Sequence, residues 1–202
     1  MAAKSTLVNM VAVLGITCLL CSAILGGTYA VTEEPIRVTA AEKTAKSISE
    51  VLPAFSAVEE ITDGDVTYYK AVADTALVGY AIRSTVVGFG GPLTLLVGIT
   101  ADGIVYNTSV LSHSETPGLG AKCTTDKKFM SQWKNLNPAE KVLAVTKEGG
   151  SIDAITASTI TSKAYTKAVS NALEFFNALS EEVPVISSEA EKSNEEGGQS
   201  NE

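Results

Sequence analysis

The chain has 202 residues, 15 basic and 23 acidic side chains, a formal charge of −8 and a pI of about 4.8. That length holds one domain with a real core plus appendages, and the lack of a basic patch excludes nucleic acid as a partner. One histidine, no Cys/His cluster, no Walker or dinucleotide fingerprint and no nucleophile elbow leave an enzyme of side chains alone poorly equipped; a borrowed cofactor fits better.

Residues 7–31, LVNMVAVLGITCLLCSAILGGTYAV, carry no charge. About 20 apolar residues span a bilayer core, and this run suffices with some tilt. Lys4 precedes it and Glu33 and Glu34 follow, a flank pattern that places the N-terminus in the cytoplasm and the rest of the chain outside. A cleaved signal peptide is the rival reading, with Thr28-Tyr29-Ala30 as a small-x-small cleavage site. Cys18 and Cys21 lie one helical step apart inside the run, where helix geometry resists a disulfide. Cys123 has no cysteine partner in the exported part, so no structural disulfide is expected.

Residues 36–52 have the spacing of an amphipathic helix ended by Pro53. Asp63-Gly64-Asp65 is a turn, and 66–72 and 76–84 are strands joined at Asp74-Thr75. Strands over 93–100 and 104–111 flank an Asp102-Gly103 hairpin turn. A short helix over 125–134 carries Phe129, Met130 and Trp133. Residues 141–146 read as a strand, Gly149-Gly150 as a turn, and 159–179 as a helix with an apolar stripe from Ala164 to Leu179. The tail 187–202 holds five glutamates, one lysine and no large apolar residue, and is expected to be disordered. The expected organisation is a membrane anchor over 1–31, an extracytoplasmic domain over 32–186 and the acidic tail. The fold class is α+β: a mostly antiparallel sheet with flanking helices, preceded by one N-terminal transmembrane helix.

Three stretches invite chemistry. GFGG (88–91) and PGLG (117–120) are glycine-rich; on the residues alone they read as tight turns, although glycine also lets backbone approach a ligand. His113 reads as a surface or hydrogen-bonded histidine and Glu115 as a solvated carboxylate. DAITASTITS (153–162) places three threonines and two serines where a helix begins. Ser158 can serve as its N-cap, and a helix start also binds phosphate through its unpaired N–H groups and dipole.

HSETPGLGAK (113–122), DAITASTITSKA (153–164) and GFGGPLTLLVGITADGIV (88–105) together resemble the FMN-binding domain shared by the G subunit of the Rnf electron-transport complex and the C subunit of the sodium-pumping NADH:quinone reductase. The shorter chain favours the Rnf member of the pair. In that family FMN is joined by a phosphoester to the threonine ending a Ser-Gly-Ala-Thr segment, matched here by Thr156, Ala157, Ser158 and Thr159. The resemblance therefore implies FMN on Thr159. Ser158 and Thr161 are the alternative hydroxyls, because Ala157 and Ser158 depart from the motif. It further implies that Ser158, Thr161 and Ser162 donate to the phosphate, and that Asp153 opens the segment read by a flavin transferase. Glu115, Thr116, Gly118, Leu119 and Gly120 are expected beside the isoalloxazine ring. The implied role is one relay, not a catalyst alone, in an inner-membrane complex coupling ferredoxin/NAD electron transfer to ion translocation. A membrane-anchored flavin sensor remains the alternative of a different class.

Overall fold

A computed structural model of the chain describes residues 7–182; the expectations for Lys4 and the acidic tail lie outside them. The described chain forms helix α1 (Leu7–Val51), strands β1 (Ala57–Asp63), β2 (Val66–Ala73), β3 (Ala76–Val87), β4 (Pro92–Thr100) and β5 (Val105–His113), a short helix α2 (Lys127–Ser131) and helix α3 (Thr159–Glu182). The five strands make one sheet in the order β1-β2-β3-β4-β5, with every neighbour antiparallel. The α+β class is as expected.

The apolar run and the amphipathic segment are one continuous helix rather than two, with Pro35 inside it. Proline removes one backbone donor, and the Thr39 hydroxyl donates to the Pro35 carbonyl one turn on. The division into two compact units falls within α1, between Ala45 and Lys46. By length and composition α1 can cross a membrane.

In the second unit the sheet is covered on both faces, which explains why PLTLLVGIT shows no alternation. Strand β4 lies inside the sheet and is buried along most of its length. Leu93, Leu95, Val97 and Ile99 pack with Ala164, Tyr165, Ala168, Val169, Ala172 and Phe176 of α3. Leu96 and Leu111 belong to the opposite layer, with Ile48, Val51 and Leu52 at the end of α1. Each fully buried leucine contributes roughly 1.5–3 kcal/mol.

The last turn of α1 reaches the sheet because residue 98 has no side chain. A Cβ there would lie 1.7 Å from the Val51 carbonyl oxygen. Asn107 Nδ2 donates to the Glu50 carbonyl at 2.9 Å, and the Ser47 and Ser109 hydroxyls meet at 3.0 Å. The first of these bonds satisfies a carbonyl that a helix end leaves open.

Two further elements differ from expectation. Strand β1 is absent from the sequence reading: AVEEITD is an edge strand, almost wholly exposed, so its glutamates carry no apolar signature. Residues 141–146, expected as a strand, are not one. Their backbone bonds stay within a local loop, Ala144 N to Val142 O and Thr146 N to Ile152 O, with a single parallel bridge between Val145 and Ile152. The apolar residues there fill a loop instead.

Gly98→Ala is expected to destabilise the second unit by about 1–3 kcal/mol, because the new methyl forces the α1 turn off β4. Denaturant unfolding followed by tryptophan fluorescence checks it; an unchanged midpoint would show that the α1 turn is not held against the sheet.

Candidate functional site

The end of β5, the 88–91 loop and the start of α3 meet around one carboxylate. Glu115 is 5% exposed, not the solvated side chain its loop position suggested. Its Oε1 accepts from the Phe89 backbone N–H at 2.8 Å and its Oε2 from the Thr161 hydroxyl at 2.8 Å. The His113 Nδ1 accepts the Glu115 N–H at 3.3 Å. Two charge-assisted bonds thus tie the glycine loop and the helix start to the same residue.

The glycines make room for this carboxylate. A Cβ on Gly88 would lie 2.0 Å from Glu115 Oε1, and one on Gly120 would lie 2.4 Å from Oε2 and 2.7 Å from the Thr161 hydroxyl. Gly118 is different. It has φ +75 and no described protein atom within 4 Å of where a Cβ would go, so its conformation serves the turn.

Beside this brace lies a cleft of about 350 Å³ lined by Phe89, Glu115, Thr116, Leu119 and Gly120 on one side and by residues 157–161 on the other. Phe89, Leu119 and Ile160 are 66%, 44% and 55% exposed, so the cleft has an apolar rim open to solvent. Thr159 lies half-buried in its wall.

The hydroxyls of 156–162 have separate environments. Ser162 is fully buried; it donates to the Ser158 carbonyl at 3.0 Å and accepts from the Ile155 N–H at 2.9 Å, which leaves it no proton for a phosphate. The Thr161 proton is engaged by Glu115. Ser158 is buried, and its hydroxyl has no partner among the described residues. The expected side-chain N-cap is therefore absent. The first backbone bond of α3 runs from Ser162 N to Ser158 O at 3.0 Å. The amides of Thr159, Ile160 and Thr161 ahead of it find no acceptor among the described residues.

An unsatisfied buried hydroxyl and three open amides, at the positive end of a 24-residue helix, make a site for an anion. The residues present thus fit a phosphate group. Among the described residues no cluster fits a metal ion.

Asp153 stands apart from the cleft. It is exposed, pairs with Lys128 at 3.3 Å, and its backbone is held by Gln132 through both amide atoms. Thr116 is exposed at the rim and accepts the Leu119 and Ala121 amides through its carbonyl. Sequence reasoning missed Phe89 and Ile160. An aromatic residue inside a run of glycines was the available signal for Phe89; Ile160 resembled any helix residue.

The helix start is fixed from behind. Tyr165 stacks on Trp133 at 5.1 Å and meets Phe129 edge-on at 5.1 Å, and its hydroxyl pairs with Thr108 at 2.8 Å. Burial raises the Tyr165 pKa. Burial, with the Glu115 charge adding to it, pushes the Cys123 thiol up to about 11, which keeps it an inert core residue.

Ala157 holds φ +62 within the turn closed by Ser158 N to Ile155 O. An alanine in that region costs about 1–2 kcal/mol. Ala157→Gly relieves this but loses unfolded-chain restriction, for a net stabilisation below about 1 kcal/mol. Ala157→Val, branched at Cβ, is expected to lose more than about 1 kcal/mol. Thermal unfolding of both variants checks the order; a valine variant as stable as wild type would contradict the left-handed turn.

Residues 88–174 match the FMN-binding domain family. The G subunit of the ion-translocating oxidoreductase complex of Methanosarcina acetivorans is 36% identical over 78% of this chain and 87% of its own length. The G subunit of the proton-translocating ferredoxin:NAD(+) oxidoreductase complex of Clostridium ljungdahlii is 33% identical over 80% of this chain and 86% of its own. The crystal structure of Shewanella oneidensis NqrC is 20% identical, with a TM-score of 0.47 over 66% of this chain and 73% of that one. With an FMN-binding domain and relatives aligned over most of its length, the chain belongs to the G-subunit family of ion-translocating oxidoreductase complexes.

Proposed function

We propose that this protein is an electron-relay subunit of a membrane complex that couples ferredoxin/NAD electron transfer to ion translocation, and that it carries FMN as a phosphoester on Thr159. The observation that carries the attachment is the open start of α3. Among the described residues three amides and the Ser158 hydroxyl lack acceptors where Thr159 enters the cleft. A phosphate joined to the Thr159 oxygen supplies those acceptors, and the helix dipole stabilises its charge. The other hydroxyls of the segment are less suited: Ser162 and Thr161 are engaged, and Ser158 is buried.

A flavin transferase makes the ester. The Thr159 Oγ1–P bond forms as the P–O bond to the AMP half of FAD breaks; AMP leaves, and the hydroxyl proton passes to solvent. Bound there, FMN supplies one- and two-electron redox chemistry. The residues of the chain do the rest. Phe89, Leu119 and Ile160 offer apolar walls to a planar ring, and Glu115 with its glycines keeps those walls in place. The partners are the other subunits of the complex. The domain stands on the extracytoplasmic side of the membrane, where a lost cofactor is hard to replace and a covalent bond is useful.

Thr159→Ala is expected to fold, since it removes no side-chain hydrogen bond of the described structure, and to show no fluorescent flavin band on a denaturing gel after co-expression with the transferase. Ser158→Ala keeps the band at reduced intensity. Retention of the band in Thr159→Ala, with loss in Ser158→Ala or Thr161→Ala, would move the anchor. Orientation is tested separately. A reporter active only beyond the cytoplasmic membrane, fused after residue 186, should be active, and activity of a cytoplasm-only reporter at that point would reverse the topology.

A further inference from the structure

Glu115 is the one charged side chain in the lining of the cleft, and it forms no ion pair among the described residues. Its oxygens meet only an amide N–H and a hydroxyl. Such partners orient a carboxylate but do not cancel its charge. The cleft wall screens that charge less than water does, so the field reaches across a space of about 350 Å³. No other lining residue contributes an opposing charge.

We propose that Glu115 sets the potential of the flavin held in this cleft, its fixed negative charge making electron addition less favourable and poising the group as a low-potential carrier. This rests on the proposed attachment of FMN at Thr159. The same residue acts mechanically as a brace, so charge and shape must be separated. Glu115→Gln does this. Its amide oxygen accepts from the Phe89 N–H, and its NH2 donates to the Thr161 oxygen, which accepts as readily as it donates. The shape is retained and the charge is gone.

The experiment is a spectroelectrochemical titration of the full-length protein, purified after co-expression with the transferase, with intact mass confirming the flavin adduct. Glu115→Gln should keep the adduct and move the midpoint potential to a more positive value. Thr161→Val loosens the brace without removing the charge and should give no positive shift. Leu119→Lys adds a cation to the same cleft and should also shift the potential positively, by offsetting the Glu115 charge. An unmoved potential in Glu115→Gln, or an equal positive shift in Thr161→Val, overturns the proposal. If Glu115→Gln acquires no flavin, Leu119→Lys decides: a positive shift supports the charge effect and an unmoved potential overturns it. A wild type without covalent FMN overturns the attachment and this inference together. A flavinylated wild type whose potential Glu115→Gln leaves unmoved overturns this inference alone.

Discussion

A buried carboxylate that accepts one bond from a glycine loop and one from a helix start is the constraint on which the site depends. Glu115 is held just beyond the end of β5, receives the Phe89 N–H and the Thr161 hydroxyl, and so fixes both walls of the cleft to the sheet. Leaving such a group buried without donors would cost about 1–3 kcal/mol or more, since it is charged. Both donors, and the absence of side chains at 88 and 120, are therefore parts of one device. A Cβ at Gly88 or Gly120 would sit 2.0 or 2.4 Å from a carboxylate oxygen, so the loop must move.

This alters the meaning of the glycine signature. Gly88 and Gly120 admit the Glu115 side chain, and a Cβ at Gly90 would lie 2.1 Å from the Ser114 carbonyl. In the structure these glycines let protein approach protein. The cleft surface is made by Phe89, Glu115, Thr116, Leu119 and Gly120 and by the first turn of α3.

Much of the fold was legible because its signals are local. Asp-Gly turns and the apolar stripe of α3 each arise within a few residues. The differences arise where neighbours in space decide. Strand β1 is polar because it is an edge, and 141–146 is apolar yet irregular, its backbone bonded within a local loop and bridged once to Ile152. The site divides in the same way. The resemblance implies a cofactor segment at 156–159, but the settings of Glu115 and Ser158 depend on partners 26 and 46 residues away or on their absence among the described residues. Sequence spacing does not report such contacts.

The hydroxyl-rich, charge-poor character of 153–162 has a physical reason that no single cap supplies. Ser162 closes the turn before the helix, using its donor and an acceptor position on backbone. Thr161 feeds Glu115, and Thr156 faces solvent in the turn bent by Ala157. Ser158 keeps an unsatisfied hydroxyl beside three open amides, and Thr159 remains half-buried at the cleft. A lysine or arginine among them would pair with Glu115 and loosen its hold on Thr161. An aspartate at 158 would cap the amides itself and oppose an incoming phosphate. Neutral hydroxyls avoid both outcomes. They satisfy the backbone where it is buried, hold the carboxylate without neutralising it, and leave the helix start open to an anion that the chain itself does not provide.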